Sequence, residues 1–80
     1  MKKIVENDLI SIFKETFLID DNDFIKKLKR EDFLRWDSLA TVSILASVSN
    51  KFSIQISPNE FEKFSSFESI KQLINKKINS

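Results

Sequence analysis

The stretch RWDSLATVSILASVSNKF, residues 35–52, decides how the rest of the chain is read. Asp37 stands directly before Ser38, and from Ser38 to about Lys51 nothing interrupts a helix. Asp37 is placed as its N-cap, where a carboxylate accepts backbone N–H bonds that the first turn leaves without intrahelical partners. Leu39, Val42, Leu45, Ala46 and Phe52 are expected on the inner face. Ala40, Ile44 and Val48 then make the helix apolar most of the way round. Such a helix is either central to a bundle or keeps an apolar side for a partner. The chemical question is whether Ser38 is only a polar residue at a helix start or a point of attachment.

Working outward, Val5, Leu9, Ile12 and Phe13 follow a helical rhythm over about Lys3 to Phe17, with Ile4, Ile10 and Phe17 widening the stripe. Between Leu18 and Trp36 the rhythm weakens while Asp and Lys accumulate. This predicts a long connection with one short turn around Phe24 to Leu28. Connections of that length are uncommon in compact domains and often functional. Its apolar residues, Phe24, Ile25, Leu28, Phe33, Leu34 and Trp36, are expected to pin it to the helices. After residue 52, Ser53-Ile54-Gln55-Ile56 alternates like a strand but is too short to form a sheet alone. Ser57-Pro58-Asn59-Glu60 combines a capping serine, a proline at the first helical position and a glutamate three residues after the serine. A short helix from Pro58 to about Phe64 is expected. Ser65 and Glu68 repeat the spacing and open a last helix with Phe67, Ile70, Leu73, Ile74 and Ile78 inward. Lys76 and Lys77 near its end suit the negative pole of the helix dipole. The fold expected is all-α. It is a small four-helix bundle of three longer helices and one short one, with a long loop between helices 1 and 2, and residues 1–80 as a single domain.

The composition excludes more than it proposes. Eighty residues lie near the lower end for a self-sufficient hydrophobic core, and eight phenylalanines and one tryptophan supply bulky material for it. The formal net charge is +1 with signs interspersed, so no global field argues for nucleic acid or an anionic membrane. The basic cluster Lys26-Lys27-Leu28-Lys29-Arg30 is flanked by Asp20, Asp21, Asp23, Glu31 and Asp32. It reads as a solvated polar segment rather than a phosphate-binding patch. With no His and no Cys, Ser-His-Asp and Cys-His nucleophile systems and ordinary zinc sites are ruled out. With no Gly, a P-loop and a dinucleotide fingerprint are excluded, and Asp20 to Asp23 cannot open a standard EF-hand loop. No metal site and no self-contained enzyme is expected. Charges interrupt the N-terminal apolar residues and every apolar run falls short of a membrane span, so a cytoplasmic protein with no membrane insertion is expected.

At this point the residues resemble a known family. Asp37-Ser38-Leu39 at a helix start is similar to the attachment motif of acyl carrier proteins and the related aminoacyl and peptidyl carrier domains. The likeness continues in Val42 three residues after Leu39, in Phe52-x-Ile54-x-Ile56, in the short helix and in the final helix near Phe67. The loop ending KREDFLRWDSL is also similar to free-standing carriers, so the resemblance covers nearly the whole chain. It implies that Ser38 carries a 4′-phosphopantetheine arm installed from coenzyme A by a separate phosphopantetheinyl transferase. The thiol of that arm would hold an acyl or aminoacyl group as a thioester, so a chain with no cysteine could take part in thiol chemistry. A phosphodiester at Ser38 would sit in the first helical turn, where backbone N–H groups favour an anion by roughly 0.3–1 kcal/mol at an exposed site. Asp37 and Leu39 would be recognised with it. The family's matching aspartate is also associated with the metal used in loading, a role that would fall to Asp37.

Trp36 is expected to anchor the loop before Ser38, with a partner-facing role as the alternative, while Leu39 is balanced between partner contact and core. Phe61, Phe64 and Phe67 are expected to pack as core, leaving little room for a long acyl chain. One departure from the family narrows the function. Fatty-acid carriers present carboxylates on the second helix, whereas here there is none between Leu39 and Phe52. Steering by a basic partner would be weak. The resemblance therefore implies a dedicated, monomeric carrier in a specialised biosynthetic pathway. It would be charged by an acyl- or aminoacyl-activating ligase, discharged by acyl-accepting enzymes, and docked through apolar and hydroxyl contacts nearly indifferent to salt. The alternative is an unmodified helical protein-interaction module that holds a partner on this helix.

Overall fold

Helix α1 spans Lys2–Phe17, α2 spans Asn22–Lys26, α3 spans Ser38–Phe52 and α4 spans Phe67–Asn79. Short 3-10 helices occupy Arg30–Asp32 and Pro58–Lys63. The computed structural model describes residues 2–79. Among the described residues there is no strand, and the chain is all-α. No helix among them is long and apolar enough to cross a membrane.

α1 packs against α2, α3 and α4 and carries much of the core. Val5, Leu9, Ile12, Phe13 and Phe17 recur at helical spacing and are buried, as the periodicity requires. The expectation for the Ile4 side chain lies outside the described residues. Phe13 is fully enclosed, with Trp36 edge-on at 5.2 Å and Phe67 edge-on at 5.3 Å between ring centroids. α1 ends where Leu18 turns left-handed at φ 57°. The Arg35 guanidinium donates to the Phe17 carbonyl, one of the groups a helix end leaves without a partner.

The long connection holds more structure than one turn. Asp21 caps α2 by accepting the Phe24 N–H at 3.1 Å, and Ile25 and Leu28 drop into the core. The chain then meets the start of α4. Arg30 N–H donates to the Ser65 carbonyl at 2.8 Å, and Phe67 N–H to the Leu28 carbonyl at 3.1 Å. Ile25, Leu28 and Trp36 pin the connection as expected, with Phe33 half-buried. Phe24 and Leu34 do not: both are exposed, Phe24 resting edge-on against Phe33 at 5.9 Å.

Four further details differ from the sequence reading. In α3 the buried residues are Thr41, Ile44 and Val48, while Leu39, Val42 and Ala46 face outward and Leu45 and Phe52 are half-buried. A helix apolar nearly all round has no periodicity that fixes its phase, so a tertiary contact decides it. The segment after Ser57 is a 3-10 helix ending at Lys63 rather than an α-helix reaching Phe64. Glu60 Oε1 accepts the Ser57 N–H at 2.8 Å, the glutamate half of the anticipated capping box. Finally, the cap of α4 is Ser66, whose Oγ accepts the Ser69 N–H at 3.0 Å. The carbonyl of Ser65 is committed to Arg30, and the cap moves one residue on. Phe67, Ile70, Leu73 and Ile74 face inward as expected, but Ile78 is about half exposed near the helix end.

Candidate functional site

Asp37 has extended backbone angles, φ −97° and ψ −169°, and its Oδ1 accepts the Ala40 N–H at 2.9 Å. Its carbonyl accepts both the Thr41 N–H and the Thr41 hydroxyl at 3.0 Å. Ser38 is thereby fixed as the first residue of α3, with its side chain exposed. A serine there is held by backbone bonds and has nothing covering it.

What fixes the approach to Ser38 is Trp36. Its indole is only 2% exposed, and Nε1 donates to Thr41 Oγ1 at 3.0 Å. A buried indole N–H needs an acceptor, and Thr41, itself fully buried, supplies it while donating onward to Asp37. The chain Trp36–Thr41–Asp37 joins the loop, the core and the helix cap. It also turns Thr41 inward, which rotates Leu39 and Val42 out.

Arg30 approaches from the 3-10 helix of the long connection. Its Nη2 lies 3.5 Å from Ser38 Oγ, long for a hydrogen bond but close for a cation. Among the described residues no carboxylate forms an ion pair with Arg30. Arg30 also lines an open groove of about 390 Å³, together with Glu31, Phe33, Leu34, Trp36 and Ser65.

Comparison with protein-family models, curated proteins and solved structures finds no match to this chain.

Of the expected site residues, the structure brings Asp37, Ser38 and Leu39 together at the start of α3, all exposed, with Leu39 at 80%. That exposure removes the core role for Leu39. Trp36 is an anchor in the core, not a surface for partners. Phe64 and Phe67 are buried and Phe61 half-buried, as packing residues. Among the described residues no group of three or more acidic side chains is arranged to hold a metal ion. Asp37 directly precedes Ser38, with one carboxylate oxygen used in the cap.

Sequence reading missed Thr41 and Arg30. Thr41 had a signal: a hydroxyl among apolar residues, four positions after the cap and five after a tryptophan that must bury an N–H. Arg30 had none. It sits in a mixed-charge run, eight residues from Ser38, and only the backbone bridge to Ser65 folds it back.

Proposed function

We propose that this chain is an acyl or aminoacyl carrier protein, with a 4′-phosphopantetheine arm attached to Ser38 by a phosphopantetheinyl transferase using coenzyme A. The helices and short helical segments then read as the small four-helix bundle of such carriers. The observation that carries the reading is an exposed hydroxyl on the first residue of a capped helix, in a chain with no thiol of its own. The residues present fit the group: Ser38 is exposed, and Arg30, which offers a cation beside it, also lines a groove. When bound, the arm supplies the thiol on which cargo is held as a thioester. The chain's own contribution is position. Asp37 fixes the turn, Trp36 and Thr41 fix Asp37, and no side chain here is asked to make or break a bond to cargo. The protein is on this reading not an enzyme.

Leu39 and Val42 extend an apolar stripe from Ser38 along the outer face of α3, at 80% and 54% exposure. With no carboxylate on the helix, we assign this stripe to contacts with the transferase, an activating ligase and the enzymes that accept the cargo. Fully buried Phe64 and Phe67 argue for a small cargo rather than a long chain folded into the interior. A monomeric, cytoplasmic carrier in a specialised biosynthetic pathway fits these features best. The same stripe favours one other reading, an unmodified interaction module that binds a partner on α3.

Intact mass separates the two. Purified protein is incubated with coenzyme A, magnesium and a broad-specificity transferase, with Ser38→Ala beside it. The carrier gains one phosphopantetheine and the variant none. Folded wild-type protein that gains nothing from several transferases would leave the interaction module as the reading.

A further inference from the structure

We propose that the groove lined by Arg30, whose guanidinium reaches Ser38 Oγ, receives the pantoyl segment of the arm, with Arg30 holding the phosphodiester; this inference rests on the carrier reading above. The groove's volume, about 390 Å³, falls within the ~300–1,000 Å³ of ordinary small-molecule clefts. Its lining mixes the apolar residues Phe33, Leu34 and the largely buried Trp36 with the polar residues Arg30, Glu31 and Ser65. The pantoyl segment is matched to such a surface, since it carries two methyl groups, a hydroxyl and an amide.

Leu34 is open to contact along the whole of its side chain. It is 100% exposed in a loop whose neighbours Phe33 and Trp36 are half-buried and buried. An apolar arm segment lying in the groove covers it. Arg30 is set by its backbone, since its N–H is bonded to the Ser65 carbonyl at 2.8 Å, and its guanidinium already reaches Ser38 Oγ. A guanidinium stays charged at any relevant pH and forks onto phosphate oxygens. With no carboxylate paired to it among the described residues, it is available for a phosphodiester. Glu31, the acidic member of the lining, repels phosphate but accepts from the arm's hydroxyl and amide N–H. Arg30 is thus a positioning residue, singled out by the fold from a basic run that is otherwise mostly exposed.

The test uses full-length, isotope-labelled protein loaded with unlabelled coenzyme A by a transferase, with loading read by intact mass. Isotope-filtered nuclear Overhauser spectra then report which protein side chains lie against the two arm methyls. The expected result is cross-peaks from those methyls to Leu34 and Phe33, lost in loaded R30Q. Fully loaded wild-type protein whose arm methyls show no contact with these residues would overturn the groove while leaving the carrier reading intact. Cross-peaks that persist unchanged in R30Q would overturn the role of Arg30. Wild-type protein that never gains the arm would overturn the carrier reading and this inference together.

Discussion

In α4 the apolar residues Phe67, Ile70, Leu73 and Ile74 fall on one side of the helix and all are buried. In α3 apolar residues run round the axis, yet only Ile44 and Val48 are buried, with Thr41 between them and the loop. The two helices are of similar length and both border the core, so the difference lies in what sets their rotation. α4 is phased by its own pattern, because any other rotation would place lysines and glutamine inside. α3 could bury several different stripes at similar gain. Its rotation is chosen by one buried polar contact, the Trp36 indole on Thr41. A helix phased in this way can leave Leu39 and Val42 uncovered without losing its place, and that leaves an apolar face beside Ser38.

The comparison breaks most visibly if the stripes are exchanged. Ile44→Ala on α3 and Ile70→Ala on α4, both at fully buried positions, should each cost roughly 2–5 kcal/mol in urea unfolding. Leu39→Ala, at 80% exposure, should stay within about 0.5 kcal/mol of wild type. A Leu39→Ala cost comparable to that of Ile44→Ala would mean that α3 is rotated the other way and that the outer stripe is core.

Next in size is the contact that sets the rotation. Thr41→Val keeps the shape but removes the acceptor, leaving the buried Trp36 N–H without a partner at a cost of about 1–3 kcal/mol. Trp36→Phe removes the donor as well. In the double variant the two costs should sum to more than the measured loss, because no orphaned group remains. Strict additivity would show that the two side chains do not act together and that the phase of α3 has another origin.

How far these features were legible follows from the same physics. The helix order, the Asp37 cap and the exposed start of α3 at Ser38 all rest on local rules, capping chemistry and periodicity, and each could be read from neighbouring residues. α1 and α4 declared their faces because polar and apolar residues segregate. The face of α3 was not legible from its own residues, because nothing within Ser38–Phe52 distinguishes the stripe through Ile44 from the stripe through Val42; the signal lay outside the helix, in Trp36. The cap at Ser66 rather than Ser65, and Arg30 beside Ser38, both depend on the bridge between Arg30 and Ser65. Residues thirty-five apart in sequence meet there, and no local pattern announces it.

The far end of α3 offers a smaller effect. A chain without glycine must end its helices on other residues, and Ser53 takes the left-handed conformation at φ 53° and ψ 47°. Left-handed backbone costs a non-glycine residue roughly 1–2 kcal/mol, offset in part by the greater freedom of glycine when unfolded. Ser53→Gly should therefore stabilise the protein by about 0.5–1 kcal/mol. A loss of stability would mean that the serine side chain holds the link to Ile54 in a way the backbone angles do not convey.

The smallest effect concerns the tether between the Pro58–Lys63 turn and α4, and it is read through pH. The Glu60 carboxylate accepts the Ser57 N–H at 2.8 Å and pairs with Lys77 at 2.9 Å. The backbone bond first, and Lys77 second, hold its pKa below the ordinary carboxylate value. A carboxyl whose pKa is lower when folded adds stability that is complete above its unfolded value, about 4.3. That stability is lost as pH falls through the lowered folded value, where the native state must also take up the proton. Glu60→Gln has no proton to gain. The gap between wild type and this variant in urea midpoint should be present at neutral pH and close on acidification below about pH 4. Salt should narrow it only in part, because it screens the Lys77 pair but not the bond from Ser57. The absence of any gap at neutral pH would mean that the shape of the side chain, which glutamine keeps, ties the turn to α4 rather than its charge.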